Sequence, residues 1–112
     1  MITLSPYDLT AFEASAGAAA TLLRALANER RLLILCQLGE GELSVGALQE
    51  RLGLSQSVLS QHLAVLRDEG VVATRRQSQT IFYRIANPAA VQLIATLTAI
   101  YCPIRPEVGE SS

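Results

Sequence analysis

Apolar residues recur every three or four positions over much of the chain, which is the spacing of one face of an α-helix. The first apolar stripe is rich in alanine, which lets another helix approach closely, and comprises Phe12, Ala16, Ala19, Ala20, Leu23 and Leu26. A second helix holds the apolar run 32–36. In the last helix Asn87 is the predicted cap and Pro88 suits the first turn, followed by a stripe of Val91, Ile94, Leu97 and Tyr101.

Two helices joined by a tight turn at Gly53 and Leu54 are predicted in the middle of the chain. The first covers residues 44–52, with Val45, Leu48 and Leu52 inward. The second begins after Ser55, whose hydroxyl can accept from an early backbone N–H, and ends at Gly70. One stripe of this second helix holds Leu59, His62, Leu63 and Leu66, and the opposite, polar stripe holds Ser57, Ser60, Gln61 and Ala64.

Residues 71–76 and 80–85 alternate well enough for two antiparallel strands. Because the intervening Gln-Ser-Gln contains no glycine, the pattern predicts a loop longer than two residues. The chain is therefore mainly α with a small β-hairpin wing, in the order α-α-(β)-α-α-β-β-α with an optional first strand. This order is a winged helix-turn-helix.

The polar stripe of the second central helix suits recognition of DNA bases. Gln amides and Ser hydroxyls can bond to base edges in the major groove, and short side chains let the helix approach closely. The helix alone would favour the alternative that this face is merely solvated. The position of the helix beside a second helix and a basic hairpin favours DNA binding. The candidate base-reading residues are Gln56, Ser57, Ser60 and Gln61.

Composition predicts one domain over residues 1–112, with loose tails at 1–5 and 104–112. Half of the residues are hydrophobic, yet no apolar run approaches the ~20 residues of a membrane span, and no charged flank precedes the apolar stretch 18–23. A cytoplasmic protein is expected.

The net charge is −1, but residues 44–85 carry five Arg against three acids, so this region has a charge of +2. The predicted phosphate contacts are Arg75, Arg76 and Arg84, with Arg51 and Arg67 less favoured.

From about Leu22 to Cys102 the sequence resembles the ArsR/SmtB family of bacterial repressors. The matching segments are 26–35 (LANERRLLIL), 42–45 (ELSV), 54–57 (LSQS), 60–63 (SQHL), 66–70 (LRDEG) and 82–85 (FYRI). The resemblance implies a homodimer that represses transcription until an inducer weakens its hold on double-stranded operator DNA. The two apolar terminal helices fit a dimer interface, although they would also fit a role in closing the core of one subunit.

Metal sensing is the first candidate for the inducer, since many family members bind metal through a pattern resembling Glu-Leu-Cys-Val-Cys. Here Ser44 and Gly46 occupy the two cysteine positions. The other family site uses Asp and His on the last helix, where this chain offers Asn87, Pro88 and Gln92. With one histidine in the chain, a closed site of soft ligands is hard to build, so no metal and no other cofactor is predicted.

Cys36 and Cys102 are the only thiols, and from the residues alone they are equally well inert packing residues, because their pairing cannot be deduced from sequence. The chain also resembles a branch of the family, the BigR/SqrR/HlyU type, in which two such cysteines react with persulfides or oxidants. This resemblance implies that Cys36 and Cys102 become joined by a disulfide or polysulfide bridge. Because a helix carboxyl end disfavours a thiolate at Cys102, Cys36 is the preferred nucleophile.

An enzyme is not expected, since the chain has no second histidine, no Gly-rich phosphate loop and no triad-like set of side chains. Three alternatives stay open: a metal- or metalloid-responsive repressor, a redox-sensitive activator that antagonises a silencer, and a winged-helix module that binds protein instead of DNA.

Overall fold

The computed structural model describes residues 7–102 as five helices and a small three-stranded sheet. The helices are α1 (Leu9–Leu26), α2 (Glu29–Leu38), α3 (Val45–Leu52), α4 (Gln56–Asp68) and α5 (Pro88–Tyr101), and the strands are β1 (Leu43–Ser44), β2 (Val72–Gln77) and β3 (Thr80–Ile85). This order confirms the predicted winged helix-turn-helix, with the optional first strand present. The predicted tails, 1–5 and 104–112, lie outside the described residues.

A side-chain cap fixes where each helix begins. The Asn28 side chain accepts from the backbone N–H groups of Arg30 and Arg31 at 2.9 and 3.1 Å, which starts α2. The same task is done for the other four helices by Asp8, Ser44, Ser55 and Asn87. At the turn between α3 and α4, Gly53 has a φ of 67°, a left-handed conformation that glycine adopts without steric cost. These local features fix where α3 ends and α4 begins in the helix-turn-helix.

The sheet has the strand order β1-β3-β2, and both pairings are antiparallel. Gln77 pairs with Thr80, so only Ser78 and Gln79 form the hairpin loop, and the prediction of a longer loop was wrong. Ser78 has a φ of 58°, the left-handed value that two-residue hairpin turns require at the first loop position. A non-glycine residue pays about 1–2 kcal/mol for this conformation, and the six residue pairs between β2 and β3 outweigh it.

The buried core lies between α2, α3, α4, α5 and one face of the sheet. Its fully buried large side chains are Ile34, Leu35, Leu48, Leu59, Leu66 and Val71. His62, predicted on the same stripe as Leu59 and Leu66, is only partly buried and lies at the edge of that stripe. The core therefore holds the back of α4 and leaves its polar stripe outward.

The terminal helices keep much of their apolar surface outside this core. On α1 only Ala25 and Leu26 are buried, whereas Phe12 and Leu23 are 58% and 54% exposed. On α5, Tyr101 is 78% exposed. A role in closing the core of one subunit accounts for the buried residues but not for these exposed ones. None of the helices between residues 7 and 102 has the length and hydropathy needed to cross a bilayer.

Candidate functional site

The side chains predicted to contact bases lie together on the exposed face of α4. Gln56, Ser57, Ser60 and Gln61 are all exposed. The Ser55 hydroxyl, which caps the helix by accepting from the Val58 N–H at 3.3 Å, lies 3.5 Å from the Ser57 hydroxyl. The cap therefore also positions one of the candidate residues. Base reading by the four remains a prediction.

A groove of about 500 Å³ separates this face of α4 from the tip of the hairpin. Its walls include Gln56 and Ser60 from α4, and Gln79 and Thr80 from the hairpin. Sequence reasoning did not include these two hairpin residues among the DNA contacts, although the polar run 77–79 was an available signal. The groove therefore has hydrogen-bonding side chains on both sides.

The three hairpin arginines predicted to contact phosphate do not lie on one face. Successive residues of a strand point to opposite faces of a sheet. Arg76 pairs with Ile81, which lines the groove beside α4. Arg75 pairs with Phe82, and both it and Arg84 belong to the opposite face. Arg76 is therefore the arginine that shares a sheet face with the α4 groove, and the phosphate contacts remain predictions for all three.

Arg75 is held by Glu42, which precedes β1. Its Nη2 lies 2.8 Å from a Glu42 carboxylate oxygen, and its Nε donates to the same carboxylate at 2.9 and 3.0 Å. The guanidinium carbon lies 4.6 Å from the centroid of the Phe82 ring, a cation–π distance. The Glu42 ion pair ties the hairpin to the segment between α2 and α3, whereas the Phe82 ring belongs to β3 and holds Arg75 within the hairpin. Sequence reasoning missed Glu42 because it lies 33 positions from Arg75 and no local pattern links them.

Cys36 and Cys102 line one cavity between α2 and α5. Its volume is about 250 Å³, and the other lining residues are Leu32, Ile94, Leu97, Thr98 and Tyr101. Both cysteines are free thiols; Cys36 is partly buried, and Cys102, the C-cap of α5, is exposed. The fold therefore brings together two thiols that the sequence alone could not pair.

The surroundings of the two thiols differ in a way that affects their reactivity. Burial raises the pKa of the Cys36 thiol above its ordinary value, and electrostatic repulsion from Cys102 raises it further. At neutral pH a smaller fraction of Cys36 is thiolate than in an ordinary thiol. Since the thiolate is the nucleophile, this shift argues against the sequence-based preference for Cys36 as the attacking residue.

The positions that carry metal ligands in other members of the resembled family have structural roles here. The Ser44 hydroxyl accepts from the Ala47 N–H at 3.0 Å and caps α3, and the Asn87 side chain accepts from the Ala89 N–H at 2.8 Å and caps α5. In the part of the chain that the structure describes, no three His, Cys, Asp or Glu residues are grouped as metal ligands would be. The donor set therefore does not fit a closed metal site.

The sequence profile described as "Bacterial regulatory protein, arsR family" matches residues 28–74. These residues include all of α2, α3 and α4. The chain is also 50% identical over 98 residues to the transcriptional activator HlyU of Vibrio cholerae serotype O1, with 88% of this chain and 91% of HlyU covered.

Two solved structures have the same fold. Reduced HlyU from Vibrio cholerae N16961 superimposes with a TM-score of 0.79 at 51% identity, covering 82% of this chain and 97% of that chain. The transcriptional repressor BigR from Xylella fastidiosa gives a TM-score of 0.80 at 42% identity, covering 87% of this chain and 99% of that chain. An activator and a repressor are thus both similar to this chain over most of its length.

Proposed function

We propose that this chain, which belongs to the arsR family of bacterial regulatory proteins, is a homodimeric repressor controlled by its two cysteines. The members of this family are DNA-binding transcriptional regulators and not enzymes. Joining Cys36 to Cys102 through a disulfide or polysulfide lowers its affinity for the operator. The inducer is a persulfide, another reactive sulfur species or an oxidant, and the released genes serve sulfide detoxification. The observation that carries this function is the shared cavity of the two thiols.

DNA binding uses the exposed face of α4 in the major groove. A Gln amide can make two bonds to adenine, and Ser hydroxyls bond to several base edges, so the base contacts are assigned to Gln56, Ser57, Ser60 and Gln61. Arg76 and Arg84 contact phosphates. Arg75 contacts a phosphate only when its ion pair with Glu42 is broken. An operator on the chromosome puts the site of action in the cytoplasm.

The dimer forms through α1 and α5. Phe12, Leu23 and Tyr101 expose more apolar surface than an isolated subunit has reason to leave in water, and a second copy of the chain would cover it. Two-fold symmetry then presents two α4 helices to half-sites about 34 Å apart. The spacing of these helices depends on how α5 packs.

The bridge forms in two steps that start at the exposed thiol. The Cys102 thiolate attacks the terminal sulfur of a persulfide RS–SH, the S–S bond breaks, and RS⁻ leaves and takes up a proton. Deprotonated Cys36 then attacks Cys102 Sγ, and hydrosulfide leaves as hydrogen sulfide. Two thiols and one persulfide thus give one disulfide, one RSH and one hydrogen sulfide. If a second persulfide first extends the Cys102 adduct by one sulfur, closure leaves a trisulfide.

Bridge formation couples to DNA through α5. The link fixes the end of α5 to α2, and α5 is also the proposed dimer helix, so the link changes the spacing between the two α4 helices. A coupling free energy of about 1–3 kcal/mol would weaken operator binding about 5- to 150-fold. That change is enough to switch a promoter.

Operator binding and intact mass, measured on the same samples, test this function. Duplexes selected from a random pool by the reduced protein serve as operator, and fluorescence anisotropy gives the affinity before and after treatment with cysteine persulfide. The wild type is expected to lose two hydrogen atoms, or to gain one sulfur and lose two hydrogens, and to bind about 5- to 150-fold more weakly. A fully bridged protein with unchanged affinity would contradict the proposed switch.

Two single variants are matched controls because each retains one thiol. Cys36→Ser is expected to keep the persulfide on Cys102 without forming a bridge, and Cys102→Ser is expected to react more slowly, since the remaining thiol is partly buried and has a raised pKa. Both are expected to stay on DNA. Release of either single variant would mean that modification, and not the bridge, controls binding.

A second candidate is regulation of the opposite sign, because the similar HlyU is a transcriptional activator. In that case the reduced protein displaces a silencer instead of blocking polymerase. A reporter driven by the selected operator separates the two in a strain with and without the gene: higher expression in the deletion indicates repression, and lower expression indicates activation. A metal-responsive repressor has no comparable support, and release of DNA by zinc or arsenite from the unmodified wild type would revive it.

A further inference from the structure

A second, larger groove continues from the cysteine cavity toward the base of the hairpin. Its volume is about 530 Å³, within the range of small-molecule sites. Cys36, Ile94 and Thr98 line both the groove and the cysteine cavity, so the two spaces meet at these residues. A molecule in the groove can therefore extend its end toward the thiols.

The lining of this groove includes charged residues of both signs and apolar residues. Leu38, Ile85 and Val91 provide apolar lining, and the charged lining residues are Glu40, Glu42 and Arg84. The Glu42 carboxylate is already paired with Arg75 at 2.8 Å. Among residues 7–102, Glu40 and Arg84 take part in no ion pair. The groove thus offers one anionic and one cationic group to a ligand.

We propose that this groove binds the carrier of the reactive sulfur, and that the carrier is an amino-acid or small-peptide persulfide. Its carboxylate lies near Arg84, its ammonium lies near Glu40, and its persulfide extends past Cys36 and Thr98 into the cysteine cavity. There the terminal sulfur is transferred to Cys102, and the carrier thiol leaves through the groove after taking up a proton. The inference rests on the proposed function, because only a sulfur-responsive regulator uses such a carrier.

Four small persulfides test the charge complementarity. Apart from the S–SH group that all four share, the persulfides of cysteine, 3-mercaptopropionate, cysteamine and 2-mercaptoethanol carry both charges, a negative charge, a positive charge and no charge, and they are of similar size. The rate of adduct and bridge formation at limiting carrier is followed by intact mass for the wild type, Arg84→Gln and Glu40→Gln. Intrinsic reactivity differs between the carriers, so the quantity compared is the variant-to-wild-type ratio for each one.

Arg84→Gln is expected to slow the reaction of the cysteine and mercaptopropionate persulfides about 2- to 5-fold and to leave the neutral carrier unchanged. Glu40→Gln is expected to slow the cysteine and cysteamine persulfides by a similar factor. Arg84→Lys retains the charge and is expected to keep most of the wild-type rate. Arg76→Gln, on the other face of the hairpin, is the matched control and is expected to change no ratio.

Unchanged rates with the neutral carrier exclude misfolding of a variant as the cause of a slower reaction. Ratios that are equal for all four carriers would overturn the groove as the carrier site and leave the cysteine switch standing. Failure of the wild type to form a bridge with any carrier would overturn the proposed function itself. The two failures are therefore distinguishable.

Discussion

At the level of the residue, the proposed DNA-binding surface combines side chains that would select a sequence with side chains that would supply charge. The exposed Gln and Ser side chains of α4 carry no charge, so their contribution depends on which bases they meet. Arg76, on the hairpin face beside the groove, would interact with a phosphate whatever the base sequence. Substitutions at the two kinds of position should therefore differ in salt dependence and in sequence preference.

Gln61→Ala is expected to cost about 1–3 kcal/mol on the selected operator and to relax preference at one base position, with the salt slope unchanged. Arg76→Gln is expected to weaken binding to all sequences and to reduce the salt slope by about one. Anisotropy titrations at several salt concentrations, on the operator and on single-base variants of it, measure both quantities. An unaltered salt slope in Arg76→Gln would remove this residue from the phosphate contacts.

His62 gives the fold a pH dependence. Partial burial lowers the pKa of His62 below its ordinary value of 6.5, and the positive charges of Arg31 and Arg30 lower it further. The folded state thus disfavours protonation, and the unfolded chain binds the extra proton as the pH falls below about 6.5. The stability that this group contributes is present above that pH and is lost below it.

His62→Gln is expected to lose less stability than the wild type between pH 7.5 and pH 5.5. Urea midpoints at the two pH values measure the difference, and the acidic side chains that also titrate are common to both proteins and cancel. Equal losses in the two proteins would show that His62 has the same pKa folded and unfolded.

At the level of elements, the hairpin is positioned by two contacts with different origins. The β2–β3 ladder sets its length and its two-residue loop. The Glu42–Arg75 ion pair and the pairing of β1 with β3 attach it to the segment that joins α2 to α3. Because α2 carries Cys36, this attachment connects the hairpin to the element that the sulfur bridge would constrain.

Glu42→Gln is expected to lower the free energy of unfolding by no more than about 1 kcal/mol, because the ion pair is partly exposed. It should also release Arg75, which becomes available to a phosphate, so the salt slope of DNA binding should rise by about one. The double variant with Arg75→Gln should return to the wild-type slope. A slope unchanged by Glu42→Gln would mean that Arg75 does not reach DNA even when free.

Short-range patterns predicted the elements well because their causes are local. Ser55 and Asn87 cap helices as their positions indicated, and the spacing of Leu59, Leu63 and Leu66 defined the buried side of α4. The hairpin loop was mispredicted because strand pairing imposes a positive φ on Ser78, a conformation that the loop sequence alone disfavours. Likewise, Glu42 with Arg75 and Cys36 with Cys102 are brought together only by the packed fold, so no spacing rule finds them.

At the level of the whole molecule, α1 and α5 contribute no residue to the groove beside the proposed DNA-binding face of α4. Phe12 and Leu23 are more than half exposed along α1. Because these side chains do not pack against their own subunit, they contribute little to its stability. Stable interfaces between proteins bury apolar surface of this kind in their cores. Dimerisation would therefore set both the stability of α1 and the spacing of the two α4 helices.

Phe12→Glu and Leu23→Glu are expected to weaken the proposed dimer by about 2 kcal/mol or more, since each would bury a charge in an apolar contact. Sedimentation velocity over a range of concentrations measures the shift toward monomer. Ser60→Glu, which adds the same charge on the α4 face beside the hairpin groove, is the matched control and is expected to leave the oligomeric state unchanged. A dimer that persists in both α1 variants would assign the interface to another surface.

The cap formed by Ser44 limits how this chain could evolve a different sensor. Its hydroxyl starts α3, and its backbone pairs with Phe82 in the sheet. A mutation to cysteine at this position would introduce the first ligand of a metal site while removing a helix cap worth about 1 kcal/mol. A chain with that single change would carry a weakened helix-turn-helix before any bound metal could compensate for the lost cap.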